Sequence, residues 1–208
     1  MGDIVCGALT FFDDVSRGYA TSMIDESSAS PSPLSGSLLL AAPRLKDPNF
    51  SRSVIFLAAH NLDDGAFGYI LNRPLEKRVT DLLPDQDLGD LGQVPVYLGG
   101  PVSTDKLAFA ALRWSGGKRG LKCQTHLSVQ DAIQELRLGH EVRGFVGYSG
   151  WTSGQIESEL KRSSWIVSPP KKTILTSASP SKLWGELLTE LGPVYKLMAR
   201  IPDDVSGN

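Results

Sequence analysis

The stretch "SVIFLAAHNLDDGAFGYILN", Ser53 to Asn72, decides how this chain folds. Its two apolar runs, Ser53 to Ala59 and Phe67 to Asn72, have the length of buried strands. Between them "HNLDDG" has the chemistry of a turn. Asn and Asp side chains bond their own backbone, and Gly65 tolerates positive φ. The whole reads as an antiparallel hairpin with a slightly long loop.

Working outward, further runs of the same kind appear. "SLLLAA" (Ser37 to Ala42) is a continuous apolar run stopped by Pro43. "VPVYLG" (Val94 to Gly99), "KLAFAALRW" (Lys106 to Trp114) and "VRGFVGYSG" (Val142 to Gly150) add three more strands. Three helices follow from caps and periodicity. Ser128 caps "VQDAIQELRLG", with Asp131 at N3 and Gly139 beyond the end. Thr152 and Gln155 make a T-x-x-Q capping box that opens a second helix. Leu183, Leu187 and Leu191, with Leu188 beside them, form the core-facing stripe of a third, which Gly192 and Pro193 end. Clustered strands with helices arriving later, and no βαβ rhythm, predict an α+β fold rather than a doubly wound sheet.

Composition sets the outer bounds. The chain has 208 residues, 41% of them hydrophobic, which suits one domain with an extension and a core that needs no metal or disulfide. Cys6 and Cys123 are far apart and form no CxxC pair, which favours a reducing compartment, the cytoplasm. No apolar run approaches the ~20 residues of a membrane-spanning helix. The apolar stretch Ile4 to Phe12 lacks a basic leader and a small-residue cleavage site, so no export signal is expected. Met23 is an alternative start. The division expected is an N-terminal extension with a Ser/Pro-rich linker (1–35), a compact domain (36–200) and a loose tail (201–208). Net charge is −2, but residues 1–104 carry −6 and residues 105–208 carry +4. An acidic protein is a poor non-specific ligand for nucleic acid, so such a role needs a local basic patch.

The chain contains none of the common phosphate-loop, dinucleotide or zinc-protease motifs, and neither a cofactor nor a metal is expected. "GYSGW" departs from a nucleophile elbow because Trp151 stands where the second glycine belongs. His60, Asp63 and Asp64 match no metal-ligand spacing and suit a turn. His126 and His140 are isolated in sequence. Asn72-Arg73-Pro74 ends a strand in an amide, a guanidinium and a rigid proline, a fork suited to a carboxylate or phosphate. The structural alternative is an Arg73 paired with an internal acid, with Asn72 satisfying loop backbone. Gly99 and Gly100 permit close backbone approach or simply a sharp bend. "GYSGWTSGQIESE" joins a strand, a turn and a helix N-terminus, where Ser149, Trp151 and Gln155 stand. Glu157 and Glu159, two apart on that helix, point in different directions. Arg113, Lys118, Arg119 and Lys122 surround a turn between strands and form the basic loop that nucleic-acid binding would use.

Three separated segments carry a family resemblance. "LLLAAPRLKDPNFSRSVIFLAAHN…GAFGYILNRP", "VYLGGPV" and "GFVGYSGWTSGQIESEL" together resemble the bacterial AlgH/YqgE family over about residues 36–200. The matching positions are His60, Gly65, Gly68, Asn72, Arg73 and Pro74, then Gly99, Gly100 and Pro101, then Gly147, Gly150, Trp151, Gly154, Gln155 and Glu157. The resemblance implies a bent mixed or antiparallel sheet that closes toward a pseudo-barrel flanked by helices. It implies cytoplasmic proteins without an established enzymatic activity, named for a proposed role in transcriptional control of alginate production. It supplies no catalytic residue, and the family commonly has Ala or Ser where this chain has Ser149.

The expectation drawn from residues and resemblance is a non-enzymatic binding or regulatory protein. It would recognise a small anion or a protein partner through Asn72, Arg73, Gly99, Gly100, Ser149, Trp151 and Gln155, meeting at one mouth of the sheet. Nucleic-acid binding through the basic loop is the alternative. It would need that loop to form one stripe with Lys161, Arg162, Lys171 and Lys172. A hydrolase using Ser149 or His60 is the weaker alternative.

Overall fold

The computed structural model describes residues 10–11, 34–116 and 120–200. Lys118, Arg119, Met23, Cys6 and the tail from Ile201 lie outside the described residues. Ten strands are described: β1 (Thr10–Phe11), β2 (Leu38–Ala41), β3 (Val54–Asn61), β4 (Gly65–Ile70), β5 (Pro74–Arg78), β6 (Pro95–Leu98), β7 (Val102–Trp114), β8 (Leu121–Leu127), β9 (Glu141–Trp151) and β10 (Trp165–Ser168). The helices are α1 (Val79–Leu82), α2 (Val129–Arg137), α3 (Gln155–Lys161), α4 (Thr173–Thr176), α5 (Leu183–Glu190) and α6 (Pro193–Met198).

The strands form one mixed sheet in the order β1-β7-β9-β4-β3-β2-β10, with β8 on β7 and the β5–β6 pair on β9. β1–β7 and β6–β9 are parallel and the other pairs antiparallel. The sheet curls into a half-barrel flanked by helices, the α+β architecture expected. The decisive hairpin is β3–β4, paired from Ile55↔Ile70 to Asn61↔Gly65. Its turn is tighter than the sequence reading allowed, because β3 runs on through His60 and Asn61 and leaves Leu62 to Asp64 as the loop.

β9 is the pivot. Residues 141–146 pair with β7, and Gly144 to Val146 also pair with β6 on the other side. After Tyr148, which still pairs with Val102 of β7, the strand changes partner, and Ser149 to Trp151 pair with β4. Alternation along these strands separates two cores. Leu107, Phe109, Ala111, Val142, Val146 and Val96 pack on one face under α1 and α2. Ala110, Leu112, Phe145 and Tyr97 face the other way, into the half-barrel, with β2–β4 and α5.

Two helix details correct the sequence reading. α3 begins at Gln155 with Gly154 at its cap in the left-handed region (φ 72°), so only half of the capping box forms: Gln155 Oε1 accepts from Thr152 N. Leu191, assigned to the core stripe of α5, is 37% exposed, because the helix ends at Glu190. The short elements β5, β10, α1, α4 and α6 carry too little periodicity to read from sequence. Ser128 caps α2 as expected, accepting from Asp131 N. Among the described residues no helix is long and apolar enough to cross a membrane.

Candidate functional site

At the turn end of the β3–β4 hairpin the polar side chains meet partners from α3. His60 Nε2 lies 2.6 Å from Glu157 Oε1, and the imidazole is buried. Ser153 Oγ donates to Leu62 O at 2.7 Å. Gly65 (φ 98°) lets the hairpin approach so closely that an added Cβ would stand 2.1 Å from Trp151 O. Glu159 Oε2 accepts from the indoles of both Trp151 (2.9 Å) and Trp165 (2.6 Å), while its Oε1 accepts from Gln155 Nε2. Phe50 stacks on Trp151 and meets Trp165 edge-on. Trp151 is therefore not an open wall; it is 6% exposed and closed in by two aromatic rings. Glu157 and Glu159 serve different partners, as their spacing requires. Asp63 and Asp64 stay exposed in the loop, with Asp64 accepting from Asn61 Nδ2, while His60 turns inward. Among the described residues no three His, Cys, Asp or Glu side chains gather as metal ligands.

Towards the exit end of β4 the Gly-rich segment has a packing role. Gly99 N donates to Val146 O, and Gly99 O accepts from Ile70 N and from Ser149 Oγ at 3.1 Å. A Cβ on Gly99 would stand 2.3 Å from Gly147 O, and one on Gly100 2.3 Å from the Tyr148 backbone. The two glycines let this segment lie against β9 where that strand changes partner. Ser149 is fully buried, and this is the only hydrogen bond of its hydroxyl among the described residues. Buried and donating to a carbonyl, this hydroxyl has no histidine beside it among the described residues.

At the exit end of the hairpin, Asn72 is a clamp. Its Oδ1 accepts from Val54 N (2.8 Å) and its Nδ2 donates to Arg52 O (2.9 Å), with the side chain buried. It holds the entry to β3, with both ends of the amide engaged. Arg73 differs. It is half-buried, donates to Ser51 O at 2.9 Å, and has no carboxylate within ion-pair distance among the described residues. Burial pulls its guanidinium below the ordinary value, and Asp47 opposes that shift.

The seven residues expected at one mouth thus do not share one. Trp151 lies opposite Ala66 at one end of β4, while Arg73 follows the other end, with about 13 Å of strand between. Asn72, Gly99, Gly100, Ser149 and Gln155 serve the fold. Trp151, Gln155 and Glu159 do form one cluster, and Asn72 and Arg73 both act on the 51–54 backbone.

The internally paired arginine foreseen as Arg73 is instead Arg143. Its Nε and Nη2 reach Glu141 Oε1 at 2.6 and 2.5 Å, Nη1 donates to Leu71 O, Nη2 donates to Ile174 O, and the guanidinium lies over Tyr97. Arg143 is 4% exposed and ties β9 to the end of the hairpin and to α4. The one signal available in sequence was a cation inside the apolar run "VRGFVGYSG". His140, read as isolated, lies 2.6 Å from Glu135 of α2. Cys123 is a free thiol beside the half-barrel interior.

Of the basic loop, Arg113 and Lys122 are cross-strand partners on β7 and β8, both exposed. The cations they would need for one stripe lie around α3 and after β10, the last strand of the order, whereas β8 pairs with β7 near its other end. Lys171 is paired with Glu190.

A family model described as AlgH-like matches residues 38–196. A protein of Mycobacteroides abscessus named only as UPF0301 is 40% identical over 185 residues, covering 83% of this chain and 87% of that one. One of the same name from Parabacteroides distasonis is 34% identical, covering 83% and 90%. The solution structure of the AlgH protein from Pseudomonas aeruginosa superposes with a TM-score of 0.60 at 30% identity, over 84% of this chain and 97% of that one. A Corynebacterium diphtheriae crystal structure shares the fold, with a TM-score of 0.63 at 20% identity over 84% and 95%. With most of its length matched, and with the hairpin, glycine and β9–α3 segments meeting along one strand, the chain belongs to the AlgH-like family.

Proposed function

We propose that this AlgH-like protein is a non-enzymatic, cytoplasmic binding or regulatory protein that recognises an anionic group, on a small molecule or a protein partner, through Arg73. The observation that carries this reading is the state of that guanidinium. It is rigidly based on Pro74, partly desolvated, and bound only to one backbone carbonyl among the described residues. A carboxylate or phosphate arriving there meets unused donors in a partly dry setting, where a charge-assisted bond is strong. Support for a non-catalytic role comes from the candidate reactive groups. Ser149 is sealed, His60 is turned onto Glu157, and burial pushes the Cys123 thiol up to about 12, away from its nucleophilic form. The free thiol of Cys123 agrees with a reducing cytoplasm.

The test is a thermal-shift and calorimetric screen of the full chain with inorganic phosphate, nucleotides and short carboxylates. One class should raise Tm, and Arg73→Ala should abolish that rise while leaving the unliganded Tm nearly unchanged. An undiminished response in Arg73→Ala would overturn the reading.

A further inference from the structure

The strand order ends at β10, which pairs only with β2 among the described residues. The register shows which backbone groups that pairing uses. Trp165 stands opposite Ala41 and Ser168 opposite Leu38, and Ala42 N donates to Ser164 O. Bonded and non-bonded pairs alternate along an antiparallel ladder. Ser164, Ile166 and Ser168 therefore bond to β2, while the N–H and C=O of Trp165 and Val167 point away from it. The other side of β2 agrees. Ala41 N donates to Ser53 O and Leu57 N to Ser37 O, so the odd-numbered residues of β2 face β3 and the even-numbered ones face β10. Two donors and two acceptors thus line the outer edge of the sheet. Val167 is 42% exposed, and Arg162, Ser163 and Pro169 on either side of β10 are exposed as well.

This edge lies between cations. Lys161 and Arg162 precede β10 and Lys172 follows it, while Arg44 donates to Arg162 O and Ser163 O and so stands at the same end as the first two. All four are exposed, and none has a carboxylate within ion-pair distance among the described residues. Lys171 is held by Glu190, and Glu159 is engaged by the indoles of Trp151 and Trp165 and by Gln155. A strand arriving here meets backbone partners in its middle and positive charge at both ends. Pro169 and Pro170 have no N–H and stop the ladder, so backbone bonds alone give a short grip and the charges select the occupant. A second copy of β10 fits badly, because in either direction it sets these cations against one another.

We infer that the outer edge of β10 is a docking edge for an extended segment of a partner protein with acidic residues at both ends, which adds one strand to the sheet. The surface is separate from Arg73, since β3 and β2 stand between β10 and the strand that Arg73 follows. The exposed edge of β10 supplies register through Trp165 and Val167, and Arg44, Arg162 and Lys172 supply charge selection.

Amide hydrogen exchange followed by NMR on the full chain tests this directly. In the free chain the amides of Trp165 and Val167 should exchange faster than that of Ile166, which is bonded to β2. A peptide of alternating valine and threonine with two glutamates at each end should slow both. The same peptide with lysines in place of the glutamates should bind at least about ten-fold more weakly. Val167→Pro removes an outward donor and no bond to β2, so it should weaken the acidic peptide about ten-fold and leave Tm nearly unchanged. Should that variant fail to fold, Arg162→Glu combined with Lys172→Glu leaves the backbone intact and should reverse the preference between the two peptides. Arg73→Ala should bind the acidic peptide as the original chain does, which separates this surface from the anion site. Slow exchange of Val167 in the free chain, equal binding of the two peptides, or unchanged binding in Val167→Pro would each overturn the proposal. Self-association of the chain that Val167→Pro abolishes would overturn it too, with a second copy as the occupant.

Discussion

The two ends of the β3–β4 hairpin carry similar residue types and treat them in opposite ways. At the turn end, His60, Trp151 and Glu159 are bound by side chains from β9, α3 and β10. At the exit end, Asn72 and Arg73 are bound only to the backbone of the hairpin's own entry loop. Side-chain partners from distant elements use up the charge of the turn end. Backbone partners are neutral, so at the exit end the charge of Arg73 is met electrostatically by Asp47 and by no bound carboxylate among the described residues. A polar cluster is available for recognition only where the fold has not already supplied its counter-charge.

The sharpest way to break the comparison is at Gly65. A methyl group there meets Trp151 O at a backbone φ of 98°, so Gly65→Ala should destabilise by about 3 kcal/mol or more and separate the hairpin from α3. Urea denaturation monitored by tryptophan fluorescence reads both effects. Next comes Asn72→Ala, which removes the acceptor of Val54 N–H and the donor to Arg52 C=O and should lower stability by about 2 kcal/mol. If it were neutral, the clamp reading of the exit end would fail. Arg73→Ala should shift the same curve by only about 0.5 kcal/mol, since one half-exposed bond to a carbonyl is lost. A loss as large as that of Asn72→Ala would mean that Arg73 holds the fold together.

The smallest effect belongs to the stretch between the ends, where Phe67 packs on His126. Burial lowers the pKa of His126 in the folded chain, so the unfolded chain binds its proton more readily. Its contribution is complete above the unfolded value of about 6.5 and fades as pH falls through the folded value. Stability should therefore drop on acidification across that window, and His126→Asn should flatten this part of the profile. Asparagine tolerates the positive φ of 55° found there. A profile equally steep in the variant would show that other groups set the acid response.

The hairpin was legible because its information is local. Asn61, Asp63, Asp64 and Gly65 prescribe a turn, and two apolar runs of strand length flank it. The cap of α2 was legible for the same reason, since Ser128 and Asp131 are three residues apart. Arg143 was not legible. Its partners Glu141, Leu71 O and Ile174 O come from three segments, and two of them offer only backbone carbonyls, which every residue has. The convergence expected of Trp151 with Asn72, Arg73 and Gly99 failed because a strand spreads its neighbours along its length. Segments that pack on one strand need not share one mouth.

By itself the sequence determined an α+β chain, the hairpin, the cap of α2 and the family, since turn chemistry and apolar period act over a few residues. Only the tertiary structure decided which arginine is neutralised and which serine is sealed. Burial and counter-charge belong to neighbours in space, and these are fixed only once the sheet has curled.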